Sequence, residues 1–102
     1  MKKLTGTCVC PGEVKGTIKF YAEDKVFTKE TIVVLNEYVT QNIMRLKDVG
    51  GILSSKGGIT CHASIIAREF NIPCLVSVQG LEEVEEGMIV KMDAAAEEVT
   101  FQ

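Results

Sequence analysis

The stretch at 57–73, GGITCHASIIAREFNIP, fixes more local structure than any other segment of its length in this chain. A glycine pair opens it, and Thr60 follows as a helix N-cap whose hydroxyl accepts a hydrogen bond from a first-turn N–H. Ala63, Ile66, Ala67 and Phe70 then recur at the spacing of one helical face, while Ser64 and Arg68 fall on another. Asn71 is suited to the left-handed conformation that ends a helix, and Pro73 stops its continuation. The expected helix runs over about 60–70, amphipathic, with one side to bury.

His62, the only histidine, sits at the start of that helix. First-turn N–H groups lack intrahelical partners, and with the helix dipole they favour an anion over a cation. An imidazole placed there stays neutral near pH 7, as a nucleophilic nitrogen must. A phosphoryl group on it or beside it meets unpaired donors. Gly57 and Gly58 let the backbone approach such a group closely. Cys61, a thiol at the same helix start, is a candidate for a lowered pKa. The alternative is that His62 merely ends a helix and satisfies itself locally.

The match at Gly57, Gly58, Thr60, Cys61, His62, Ala63, Ile66, Ala67, Arg68, Glu69, Ile72 and Pro73 resembles one family signature. It is that of the phosphohistidine, or swivelling, domain of the phosphoenolpyruvate-utilising enzymes: pyruvate phosphate dikinase, phosphoenolpyruvate synthase and enzyme I of the sugar phosphotransferase system. Cysteine before the histidine is most similar to the synthase branch. The resemblance extends to Pro11-Gly12 and Gly16, which look like the family's entry hairpin, and to Gly87 and the strand at 90–93. Three positions depart from the pattern. Cys10 replaces the usual serine before Pro-Gly, Ser77 stands where glycine is common, and Ala94 follows Asp93 where the family favours glycine.

At 102 residues the chain is read as one domain, 1–102, with one core. Its 46% hydrophobic and 25% charged residues are ordinary for a globular protein. No run approaches the roughly 20 apolar residues that span a bilayer, and no apolar signal-peptide core follows the first lysines. The expectation is a cytoplasmic protein without membrane attachment. A net charge of −3 without a basic stripe argues against nucleic acid. Cys8, Cys10, Cys61 and Cys74 show none of the usual zinc spacings and are expected as small buried hydrophobes, Cys61 excepted.

Strands are expected at 3–9 and 15–21 with a turn at Cys10-Pro11-Gly12, at 31–36 from a β-branched run, at 52–55, at 74–78, and as a hairpin at 88–93 and 99–101. Thr40 can cap a short helix over 41–48, with Ile43 and Leu46 inward, that Gly50-Gly51 ends. Residues 81–87, rich in glutamate, read as a solvated turn and not as a metal site. Periodicity stops at α/β or α+β with two helices. The resemblance implies more: a compact β/β/α swivelling domain, with a barrel-like sheet and the phosphorylated histidine exposed at a helix start.

The resemblance also implies that His62 is the covalent nucleophile and phosphoryl carrier, phosphorylated from phosphoenolpyruvate or from ATP. Thr60 lies near the phosphoryl group in the family, where it is a target of regulatory phosphorylation in some members; a plain N-cap is equally compatible. Arg68 is read as a structural or docking residue, and a docking rim is expected over 57–64, including Cys61 and Ser64. No cofactor or metal is expected on this chain. Magnesium, with ATP or phosphoenolpyruvate, is expected on partner domains: a phosphoenolpyruvate/pyruvate-binding domain and an ATP-grasp domain, on separate chains. The alternatives are a fold-retaining regulatory domain and a Cys/His metal- or redox-binding module.

Overall fold

Thr31–Leu35, TIVVL, is buried at every residue, and the architecture follows from that. A β-branched run with no polar face is stable only where both faces are covered, as in a parallel strand between layers. The structure, a computed structural model, describes residues 3–20, 27–35, 43–55 and 62–101. Its strands are β1 (Lys3–Thr5), β2 (Thr7–Cys10), β3 (Glu13–Phe20), β4 (Thr31–Leu35), β5 (Gly51–Ser54), β6 (Cys74–Val76), β7 (Ile89–Asp93) and β8 (Glu98–Phe101), with one α-helix, α1 (His62–Phe70). They form one mixed sheet in the order β1-β8-β7-β3-β4-β5-β6-β2. The pairs β3-β4, β4-β5 and β5-β6 are parallel and the remainder antiparallel.

Side-chain alternation sends the central strands to two cores. Ile32, Val34, Leu53 and Leu75 point one way and pack with Leu4, Val90, Met92 and Val99 of the antiparallel strands, which requires the sheet to curl over itself. Val33, Leu35, Ile52, Cys74 and Val76 point the other way, against Ile66 and Ala67 of α1 and against Leu46 and Val49. The result is a β/β/α arrangement of the α/β class.

The sheet curls in the expected barrel-like way but is not closed. β1 and β2 are halves of one strand, bent at Gly6, that pairs with β8 before the bend and with β6 after it. Gly6 N–H donates to the Glu97 carbonyl at 3.2 Å, and the Thr5 carbonyl accepts from Gln79 N–H at 2.9 Å. A Cβ at Gly6 would lie 2.8 Å from Val78 Cγ2 and 3.0 Å from the Val76 carbonyl oxygen, so the crossing needs glycine. The expected entry hairpin is absent for the same reason. β2 has gone to β6, while β3 pairs with β4 and β7.

The short helix expected over 41–48 is a 3₁₀ helix at Ile43–Asp48, closed by Val49 N–H on the Leu46 carbonyl at 3.2 Å. Its proposed cap, Thr40, lies outside the described residues. A second 3₁₀ turn, Leu81–Glu83, lies in the glutamate-rich stretch and buries Leu81, followed by buried Val84. The hairpin of β7 and β8 is as expected.

α1 ends as its sequence directs. Asn71 is left-handed at φ 56°, and Ile72 N–H returns to the Ala67 carbonyl at 2.8 Å, the six-to-one bond of a Schellman cap. Ser77, at the position where the family favours glycine, is also left-handed, at φ 54°. A non-glycine residue there costs roughly 1–2 kcal/mol. Ser77→Gly is therefore expected to raise stability by about 0.5 kcal/mol, because glycine's extra unfolded-state entropy offsets part of the relief. A fall in the urea midpoint of that variant would show instead that the serine hydroxyl contributes to the fold.

Candidate functional site

The path from β5 through α1 to β6 is a parallel crossover, so the N-terminus of α1 lies at the carboxyl ends of β5 and β6. In open α/β sheets that end is where ligands collect. His62 is the first residue of α1. The helix carries no acidic residue in its first turn and has Arg68 in its last, so no side chain within α1 cancels the positive end of its dipole. Gly57, Gly58, Thr60 and Cys61 lie outside the described residues, as does the side chain of His62. Of the predicted site, the structure thus places the helix start itself.

The floor beneath that end is tightly joined. Val78 N–H donates to the Ser54 carbonyl at 2.9 Å, continuing the connection between β5 and β6 beyond their ladder. Ser55 N–H reaches the Leu35 carbonyl at 3.4 Å, drawing in the end of β4. Ser54 is buried and Ser55 and Ser77 are half-buried, so three hydroxyl-bearing residues cluster at these strand ends. Periodicity gave no warning of them, because hydroxyls at strand ends look like ordinary turn chemistry.

The helix turns Ser64, Ile66 and Ala67 inward, whereas Ile65, Arg68 and Glu69 are exposed. Ser64 is fully buried, so it cannot belong to a docking rim; that expectation is corrected. Its spacing to Ala67, three residues on, is the signal that places both on one stripe. Ile65, three residues after His62 and 53% exposed, is the large apolar side chain that α1 leaves at the surface near that end. Phe70, expected inward, is 36% exposed at the far end of α1. Arg68 faces outward, as a docking role requires.

The opposite pole carries a cleft of about 280 Å³ whose lining includes Glu13, Lys29, Lys47, Phe70 and Pro73. These residues sit at the amino ends of the parallel strands and the C-terminus of α1, away from His62. Among the described residues no three His, Cys, Asp or Glu side chains converge as a metal site. No helix among them is long and apolar enough to cross a membrane.

Comparison with known proteins identifies a family. Residues 27–97 match the family described as PEP-utilising enzyme, mobile domain. A probable phosphoenolpyruvate synthase of Methanothermobacter thermautotrophicus is 32% identical over 95 residues, which are 88% of this chain and 14% of that protein. The chain thus spans about one-seventh of the length of that relative. Among solved structures, the aconitase X of Thermococcus kodakaraensis in its holo-form superposes with a TM-score of 0.77 at 18% identity, covering 100% of this chain and 99% of that one. An enzyme I solution structure superposes with a TM-score of 0.63 at 24% identity, covering 78% of this chain and 32% of that one. At these identities the two structures show a shared fold alone.

Proposed function

The chain belongs to the mobile-domain family of PEP-utilising enzymes, and on that premise we propose that it is a phosphoryl carrier whose His62 is phosphorylated at one active site and dephosphorylated at another. The observation that carries this reading is the sole histidine, set within GGITCH as the first residue of α1, at the carboxyl ends of β5 and β6. A neutral imidazole there attacks the donor phosphorus; the P–N bond forms as the donor's P–O bond breaks. In the second transfer the P–N bond breaks and an acceptor oxygen takes the phosphoryl group. Splitting one transfer into two is covalent catalysis by a nucleophile that can leave again.

The first-turn N–H groups of α1 face the charge that arrives with the phosphoryl group. On this reading the donor's approach falls to Gly57, Gly58 and Cys61, and a place near the phosphoryl group to Thr60. The 102 residues act as one carrier domain. A phosphoenolpyruvate/pyruvate-binding domain and an ATP-grasp domain, each on a partner chain or on a further stretch of a longer one, supply the active sites. Magnesium and ATP or phosphoenolpyruvate belong to those partners.

The test is incubation with phosphoenolpyruvate and the cognate partner domain, followed by peptide mapping. One phosphate is expected, on His62, labile to acid and stable to base. Phosphate on Thr60 or Cys61 with His62 unmodified would overturn the assignment. Gly58→Val is expected to slow labelling more than it lowers stability, because a branched side chain obstructs the donor's approach. Labelling at the parental rate in that variant would remove the approach role.

A further inference from the structure

We propose that Cys10 and Cys74 form a modification site: an intramolecular disulfide, made by exchange with a small organic disulfide, that staples edge strand β2 to β6. The two residues are direct cross-strand partners in the antiparallel β2-β6 pair. Opposed residues in such a pair have Cα atoms roughly 4.5–5.5 Å apart, inside the roughly 4.4–6.8 Å range that a disulfide bridges. Both side chains enter the same core cluster, so they lie on one face of the sheet. Neither is in a disulfide in the structure.

The strand is built to single out Cys10. The register shifts between Cys8 and Cys10, so Val9 is the extra residue of a β-bulge. Cys8 consequently packs against the other core cluster, away from Cys74. Burial, then the Glu97 carboxylate, then Cys10 raise the Cys8 thiol above its ordinary pKa. Although half-buried and nearer solvent, Cys8 is thus a poorer nucleophile than an ordinary cysteine thiol, because the thiolate is the reacting form.

Cys10 and Cys74 are 5% and 0% exposed, so an oxidant needs an opening. β2 supplies it: a four-residue strand at the end of the sheet, paired on one side and interrupted by a bulge. Such edges open locally at lower free energy than the core. The opening also breaks the bond in which the Cys10 thiol donates to Asn71 Oδ1 at 3.7 Å. The Cys10 thiolate then attacks one sulfur of the small disulfide, expelling one thiolate and leaving a mixed disulfide. The Cys74 thiolate attacks the Cys10 sulfur and expels the second. The two cysteines lose two protons and two electrons, and the small disulfide leaves as two thiols.

The new bond closes a loop that contains β3, β4, β5 and α1. A loop of that length gives a large constraint on the unfolded chain, so the oxidised form is expected to melt about 10 °C higher. The bond lies at the amino end of β6, the pole opposite the start of α1, so it leaves the carrier site untouched. The proposal does not rest on the carrier function.

The test uses the whole chain with excess bis(2-hydroxyethyl) disulfide at pH 8, followed by intact mass and non-reducing peptide mapping. The expected product has lost two hydrogens, links the peptides of Cys10 and Cys74, and melts higher until a reductant is added. Cys8→Ser retains the link; Cys10→Ser and Cys74→Ser lose it. If a variant fails to fold, fragment spectra of the parental link assign the sulfurs. A link that persists in Cys10→Ser, mixed adducts confined to Cys8 or Cys61, or no link at urea concentrations just below unfolding would each overturn the site.

Discussion

Replacing His62 by alanine is expected to reduce acid-labile phosphate on the chain to background while leaving the fold in place. The loss is complete because the chain has no second imidazole to take over the covalent role. A phosphate ester at Thr60 would not share the acid lability of a phosphoramidate, and a phosphocysteine at Cys61 is told apart by peptide mapping. The fold is expected to survive because His62 is the first residue of α1, where its N–H has no partner within the helix and alanine is the better helix former. The helix is held instead by Ser64, Ile66 and Ala67 against the sheet and by the cap at Asn71 and Ile72. A change in stability within about 1 kcal/mol is the expectation for such a substitution. Circular dichroism and urea unfolding check the fold; mass spectrometry checks the phosphate. Full labelling of a folded His62→Ala protein would end the carrier assignment, and an unfolded variant would show that His62 serves the core.

How much of this was legible in the sequence differs between elements for physical reasons. The buried strand at Thr31–Leu35 and the C-terminal end of α1 were readable because each depends on local chemistry: a run without a polar face, and an Asn that accepts a positive φ. The 3₁₀ geometry of Ile43–Asp48 was not readable. It follows from a short span that must deliver Gly50 to the Thr31 carbonyl, a constraint set far away in sequence. The open sheet was hidden for a similar reason. Lys3 pairs with Thr100 and Thr7 with Val76, partners chosen by the bend at Gly6, and no periodicity encodes a partner. Ser64 was misplaced because its hydroxyl was weighed above its helical phase. At the site, the motif pointed to the helix start, and the serines at the ends of β5 and β6 became visible only when the strands were brought together.

The fold and the carrier site can be separated by a substitution at the other pole. Gly50 follows the 3₁₀ helix and precedes β5, with its N–H on the Thr31 carbonyl at 2.9 Å. A Cβ there would press into the Lys29 carbonyl oxygen and would also meet Val14 Cγ2 at 3.1 Å. The Lys29 backbone cannot easily yield, because it lies in the turn that Thr31 N–H closes on the Thr28 carbonyl at 3.0 Å. Relief therefore requires Gly50 to move off Thr31, which disturbs the parallel pairing of β4 with β5 where both strands begin. Gly50→Ala is expected to lower stability by about 3 kcal/mol, the upper part of the range for overpacking. That is a large share of the roughly 5–15 kcal/mol available to a domain. It should lower the urea midpoint with little change in the slope. The damage lies at the amino end of β5 and α1 starts beyond its carboxyl end, so His62 should be labelled at the parental rate per folded molecule. An unchanged midpoint would refute the clash, and a folded Gly50→Ala protein that no longer accepts phosphate would show that the two poles are coupled.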